Sequence, residues 1–250
     1  MTTGTILVGG HEGGGVVAPG RRLHLAVEAA LHEHAVAVAV PMTFGRNPAM
    51  VADAARTLQP LSTSRPGRIA LAAPFGTADH LVALLRGAAR DAGDAGLIVA
   101  ARASNPFDDA ELHRIAHLVR AHGSGIEVEV ALLRDDGDVL IAHERLRRLG
   151  VARSVVVPAG FGPGPTVPCT AGLSAHGPLL GAAAIARVVA ARVDEACHLL
   201  ADHHDDGLAA GVAADHDHGY AHSHSHDHPT TTSTRSPHGH EEAALRARRW

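Results

Sequence analysis

The sequence predicts an α/β protein with two similar three-layer lobes, each a flavodoxin-like or Rossmann-like parallel sheet covered by helices. Short apolar runs alternate with helical patterns along residues 1–200, which is typical of parallel strands joined by helical crossovers. Aromatic side chains make up only 2% of the 250 residues, so the core has to be built from Ala, Val and Leu. Small aliphatic side chains of this kind suit close packing of helices on a sheet.

Six strand–helix units support this fold class. The expected strands span residues 5–9, 35–40, 68–73, 96–101, 126–132 and 154–158, and the expected helices span residues 21–33, 48–58, 79–91, 108–122, 139–149 and 178–200. Pro48 suits the first turn of its helix, where a missing N–H costs no hydrogen bond. Asp108 and Asp109 suit the first turn of another helix, where the helix dipole favours acidic side chains.

The units form two sets of three, which suggests an internal duplication. Two pairs of segments align, residues 4–12 with 95–103 and residues 68–80 with 154–166. We therefore expect a first lobe at residues 1–92, which carries the candidate site, and a second lobe at residues 93–200. Residues 201–250 contain ten of the 21 histidines and lack apolar periodicity, so we expect a disordered tail there.

Composition excludes several classes of function. A formal net charge of −4 argues against a nucleic-acid partner, and no apolar run approaches the length of a membrane span. The glycines of residues 8–15 match neither a dinucleotide fingerprint nor a Walker loop, so no nucleotide is expected. The N-terminus lacks a signal-peptide pattern, and two cysteines cannot form a disulfide framework, so we expect a cytoplasmic protein.

Two histidines lie where an α/β fold binds its ligands, at the carboxyl ends of strands. His11 follows the first strand and His80 follows the third. In a flavodoxin-like lobe these strands are neighbours, so the two imidazoles are expected to meet. A pair of neutral imidazoles forms an open site for a borderline divalent ion such as Co²⁺, Ni²⁺, Fe²⁺ or Zn²⁺. The alternatives are that His11 is only a polar loop residue and that His80 only begins a helix.

Thr43 and Arg46 follow the second strand, at the same edge of the predicted sheet. A guanidinium and a hydroxyl at this position are suited to binding a carboxylate of a substrate. The alternative interpretation is an ordinary turn before the helix that begins at Pro48. Glu12, directly after His11, is a further candidate for the cleft.

Five segments together resemble a known family: ILVGGHE, VPMTFGRNPAMVADAARTL, APFGTADH, SNPFDDAELHRIAHLVR and LGVARSVVVPAGF. In their order and spacing they resemble the CbiX-type sirohydrochlorin cobaltochelatases, which are class II tetrapyrrole chelatases. The resemblance covers about residues 5–200 and implies a lyase that inserts cobalt into sirohydrochlorin, without ATP, in cobalamin biosynthesis. It also implies that His11 and His80 serve as metal ligands and general base. The chain has Glu12 where the family usually has glycine.

The tail contains many imidazoles on a segment without a core. Those expected to gather metal ions are His216, His218, His222, His224, His226 and His228. A flexible run of histidines binds Co²⁺, Ni²⁺, Zn²⁺ or Cu²⁺ without a preformed site. The tail and Glu12 therefore leave a second hypothesis open, a non-catalytic cobalt or nickel chaperone or storage protein on the same fold.

Overall fold

Parallel strands form two separate sheets in the computed structural model, which describes residues 2–15, 17–122, 125–135, 137–167 and 169–215. The elements in chain order are β1 (Thr3–Val8), α1 (Arg21–Glu33), β2 (Val36–Pro41), α2 (Pro48–Ser64), β3 (Ile69–Leu71), α3 (Ala78–Asp91), β4 (Gly96–Arg102), α4 (Pro106–His122), β5 (Val128–Leu133), α5 (Gly137–Arg148), β6 (Ser154–Pro158), β7 (Leu173–Ala175), α6 (Ala182–Asp202) and α7 (Leu208–Ala213). The predicted α/β class with two parallel-sheet lobes is confirmed.

The first sheet has the strand order β1-β2-β3, with β2 in the centre. All six residues of β2 are buried, because helices cover both faces of a central parallel strand. The register pairs Val8 with Pro41, so β1 and β2 end side by side. The loop that carries His11 therefore lies next to the loop that carries Thr43 and Arg46. The expected flavodoxin-like placement of β3 beside β1 is wrong, because β2 lies between them.

The second sheet has the strand order β5-β4-β6-β7, so its first strand is central. The register pairs Ala100 of β4 with Pro158 of β6. The loops after these two strands are consequently neighbours, and both reach the loop that follows β1. Ala159, directly after β6, donates its N–H to the carbonyl of Ala100 at 2.8 Å.

The long helix α6 joins the two lobes. Although it follows the second sheet in the chain, it packs on β2 and β3 of the first sheet. Val193, Ala196 and Leu200 of α6 belong to one buried cluster that includes core residues of both sheets. Neither α6 nor any other helix in the described part of the chain is long and apolar enough to cross a membrane.

The predicted tail begins too early at residue 201. α6 continues to Asp202, and α7 packs on α2 with Leu208 only 4% exposed. The Leu71 N–H of β3 donates to the Asp206 carbonyl at 2.8 Å, so this segment also provides a hydrogen-bond acceptor for the edge strand β3. Leu208 and Val212 form an i, i+4 apolar pair, which is too short for a periodicity argument but sufficient to anchor one turn of helix. Residues 216–250 lie outside the described residues.

Candidate metal-binding site between the lobes

The loop that follows β1 folds back on its own strand. Gly9 donates its N–H to the Val17 carbonyl at 2.9 Å, and Val17 donates to the Leu7 carbonyl at 3.2 Å. A Cβ on Gly15 would lie 2.0 Å from the Gly9 nitrogen, so the two chain segments can only approach this closely without side chains. The glycines thus hold His11 at the top of the first sheet, where it faces the second lobe.

His11 contacts residues that come from the second lobe. Its Nδ1 lies 3.2 Å from Ser104 Oγ and 3.6 Å from Asp108 Oδ2. Asn105 caps α4 by accepting the Asp108 N–H at 3.0 Å. This cap places the Asp108 carboxylate within hydrogen-bond distance of the Ser104 hydroxyl. From sequence alone Asp108 was interpreted only as an acid in a first helical turn. Its contact with His11 depends on how the lobes meet, which no local pattern indicates.

The other ring nitrogen of His11, Nε2, is buried and has no hydrogen-bond partner among the described residues. His11 lines a cleft of about 490 Å³ between the lobes, together with Arg102, Pro158 and Gly160. Burial and then the Arg46 charge lower the pKa of His11, although Asp108 and Asp109 act in the opposite direction. The ring is therefore neutral near pH 7, with a lone pair that a metal ion can use.

Glu12 belongs to the lining of the cleft, but its carboxylate points into the protein. The residue is 4% exposed, and its carboxylate accepts hydrogen bonds from the Thr43 hydroxyl and, at 3.0 Å, from the Phe44 N–H. Burial raises the pKa of Glu12, while the hydrogen bond from Thr43 and the charge of Arg46 limit the rise. The Glu12 carbonyl accepts from the Phe161 N–H at 2.9 Å. Glu12 therefore connects its own loop to the loop that follows β2 and to the second lobe.

Arg46 is 1% exposed and also reaches the second lobe. Its Nη1 donates to the Ala159 carbonyl at 3.3 Å, while Nε and Nη2 have no partner among the described residues. Burial lowers the pKa of Arg46, and the charge of Glu12 is the main opposing influence. Thr43 and Arg46 thus lie under the cleft rather than on its rim. Their predicted role in binding a substrate carboxylate stays a prediction.

His80 lies in a different cavity. It is the third residue of α3 and is exposed, and its Nδ1 accepts the Thr77 N–H at 3.1 Å. It lines an apolar cavity of about 720 Å³ with Phe44, Phe75 and Leu180. β2 separates β1 from β3, and His11 and His80 line different cavities, whereas the charge of Arg46 acts on His11.

No group of three or more His, Cys, Asp or Glu side chains in the described ranges is arranged to hold a metal ion. The predicted metal-gathering histidines, His216, His218, His222, His224, His226 and His228, lie outside the described residues.

Comparisons with known proteins identify the fold. No family model matches the chain, and no curated protein sequence matches it. The structure of SirB from Bacillus subtilis with Fe³⁺ aligns at a TM-score of 0.50 and 13% identity, covering 82% of this chain and 100% of that chain. The sirohydrochlorin chelatase SirB from Bacillus subtilis subspecies spizizenii, in complex with cobalt, aligns at 0.49 and 13% identity, covering 80% of this chain and 97% of that chain.

The fold and the cleft define a two-lobed α/β protein with a partly buried histidine, His11, where loops of the two lobes meet. The particular solved fold that this chain shares is that of SirB, and at 13% identity the likeness concerns the fold.

Proposed function

We propose that the chain inserts a divalent metal ion into a sirohydrochlorin-like tetrapyrrole without ATP, and that cobalt is its metal substrate. The observation that carries this proposal is the buried Nε2 of His11, which has no hydrogen-bond partner among the described residues and belongs to a ring that lines the cleft between the lobes. An unpaired buried nitrogen is costly, and a metal ion bound there would remove that cost. Imidazole nitrogen suits Co²⁺, Ni²⁺ and Fe²⁺.

The same nitrogen can first hold the metal ion and then accept a proton from the macrocycle. When the divalent ion enters the macrocycle, two pyrrole N–H groups lose their protons. As the ion leaves Nε2, the freed lone pair of His11 can accept one of these protons, and the other passes to water. A histidine whose pKa is lowered by burial is neutral before the ion binds and returns its proton readily to solvent.

The position of Arg102 favours a substrate that carries several negative charges. Arg102 is exposed, is the last residue of β4 in the second sheet and lines the cleft beside His11. Sirohydrochlorin carries many carboxylates, and a guanidinium pairs with a carboxylate through two parallel hydrogen bonds. Arg102 is therefore a candidate for binding the substrate, and unlike the buried Thr43 and Arg46 it lines the cleft directly.

His80 as a second metal ligand stays a prediction. Its Nδ1 accepts a hydrogen bond from Thr77 and so carries no proton, which leaves the proton of the neutral ring on Nε2. To bind a metal ion through Nε2, the ring would have to change tautomer and give up this cap. We therefore assign the first metal contact to His11.

The alternative function is a non-catalytic cobalt or nickel chaperone or store. The run of histidines at residues 216–228 favours it, because such a run binds metal without a macrocycle. The described residues hold no group of three or more potential ligands, which favours transfer of the ion over its storage in that part of the chain. The alternative therefore depends on the tail.

The test is the absorbance change of sirohydrochlorin on metallation by Co²⁺. Wild-type protein is expected to exceed the uncatalysed rate, and His11→Ala is expected to lose about 100-fold or more of the excess. His24→Ala changes a partly exposed histidine of α1 that does not line the cleft; it is the matched control and is expected to keep the full rate. A wild-type rate equal to the uncatalysed rate would refute the chelatase and leave the chaperone.

A second variant tests the tail, with Asn in place of six histidines: His216, His218, His222, His224, His226 and His228. If the tail supplies metal, this variant is expected to turn over normally with ample Co²⁺ and more slowly when Co²⁺ is scarce. An equal loss under both conditions would contradict a supply role.

A further inference from the structure

Ser104 lies between an imidazole and a carboxylate and has one hydroxyl proton to give. Its Oγ is 3.0 Å from Asp108 Oδ2 and 3.2 Å from His11 Nδ1. We infer that Ser104 and Asp108 are positioning residues that fix the tautomer of His11, with the proton on Nδ1 and the lone pair on Nε2. Both residues come from the second lobe, so this lobe determines which nitrogen of His11 can bind a metal ion.

The direction of each hydrogen bond follows from what each group is able to do. The Asp108 carboxylate only accepts, and it also accepts from Asn105 Nδ2 at 2.8 Å. The single Ser104 hydroxyl proton is therefore donated to Asp108. The Ser104 oxygen then has only lone pairs to offer His11, so Nδ1 must carry the proton of the neutral ring. The Asp108 oxygen 3.6 Å from Nδ1 favours the same proton position electrostatically.

A histidine that binds a metal ion through one nitrogen usually donates its other N–H to a carboxylate, a carbonyl or water, which fixes the tautomer and the ring orientation. Here the Ser104 hydroxyl lies between the His11 N–H and the Asp108 carboxylate and connects them. The role in metal binding rests on the proposed function, whereas the tautomer does not. The arrangement couples the two lobes, because His11 keeps its metal-ready tautomer only while the loop after β4 stays in contact with it.

The tautomer can be measured directly by ¹⁵N–¹H correlation NMR of the imidazole rings in the full-length protein. The His11 signals are assigned by their loss in His11→Ala. Wild-type His11 is expected to be the Nδ1–H tautomer. In Asp108→Ala the Ser104 hydroxyl becomes free to donate to Nδ1, so the Nε2–H tautomer is expected to appear. Glu111→Ala removes a carboxylate from the same helix without contacting His11, and should leave the tautomer unchanged.

Metal binding is the second measurement, made by titration with Co²⁺ alone. Asp108→Ala and Ser104→Ala are each expected to raise the dissociation constant of the His11-dependent site by about 10- to 100-fold. Ser104→Thr keeps the hydroxyl and is expected to restore both the tautomer and the affinity. This rescue separates positioning from a general loss of folding.

An Nε2–H tautomer in wild-type protein would overturn the inference, whatever the chelatase assay shows. An unchanged tautomer in both Asp108→Ala and Ser104→Ala would overturn it as well. If the tautomer behaves as expected and sirohydrochlorin is not metallated, the positioning role stands and the proposed chelatase function fails.

Discussion

The two lobes contain the same kind of strand–helix unit but arrange their strands differently. In the first lobe the second strand, β2, is central, whereas in the second lobe the first strand, β4, is central. The loop after β1 therefore leaves from an edge of its sheet and reaches across to the loops after β4 and β6. The different strand orders thus place the candidate site between the lobes instead of within one of them.

The two histidines show what this difference means for chemistry. His11 is held by Ser104 and Asp108 of the second lobe and has an unpartnered Nε2. His80 is held within its own helix turn by Thr77 and faces an apolar cavity. Two histidines that each follow a strand thus have different surroundings, according to what the rest of the fold brings to them.

The largest effect on stability is expected from removing Glu12, which fastens the His11 loop. Glu12→Ala leaves the Thr43 hydroxyl and the Phe44 N–H without their acceptor, at a cost of about 2–4 kcal/mol of unfolding free energy. Glu12→Gln keeps one acceptor oxygen and is expected to cost less. Urea unfolding monitored by circular dichroism measures both.

The control for Glu12 is Glu28→Ala, which removes a partly exposed ion pair with Arg65. This change is expected to cost less than about 1 kcal/mol, because solvent screens such pairs. If Glu12→Ala lowered the unfolding free energy no more than Glu28→Ala, the buried carboxylate would not stabilise the contact between the His11 loop and the loop after β2.

A smaller effect is expected where the loops of the two lobes touch. A Cβ on Gly160 would lie 2.4 Å from the Glu12 carbonyl, whereas a Cβ on Gly162 would meet nothing closer than 4.0 Å. Gly160→Ala is therefore expected to cost about 1–3 kcal/mol by overpacking and to weaken Co²⁺ binding at His11. Gly162→Ala is the matched control. Equal stability and equal Co²⁺ affinity of the two variants would contradict a tight contact between the lobes at this point.

The fold class was predictable because the strand and helix periods are local properties of the sequence. The position of His11 at the end of β1 was predictable for the same reason. The strand order was not, because α6 and the segment around Asp206 cover β3 only once the chain has folded. Ser104, 93 residues from His11, could not be assigned as its partner without the contact between the lobes. Leu208 was missed because a single helical turn gives no periodic signal.

His80→Ala tests the other half of the comparison. The imidazole caps α3, and loss of a cap costs about 0.5–2 kcal/mol. Because its cavity is separate from the His11 cleft, the rate of metallation is expected to stay near the wild-type value once the protein is folded. Thermal unfolding and the metallation assay measure the two effects. A rate loss as large as that of His11→Ala would show that His80 leaves its cap to act as a second metal ligand.

The smallest effect expected is on the pH dependence of metal binding. Protons compete with a metal ion for Nε2, so an ordinary histidine loses metal affinity as the pH falls through about 6.5. Burial lowers the pKa of His11, so its site should lose less Co²⁺ affinity than an ordinary histidine does as the pH falls from 7 to 6. At pH 7 the advantage over an ordinary histidine is less than about twofold, and it grows as the pH falls. Titration at several pH values, with His11→Ala subtracted as background, measures it. A midpoint at or above 6.5 would show that Asp108 and Asp109 outweigh burial and Arg46, and that the second lobe controls the charge of His11 as well as its tautomer.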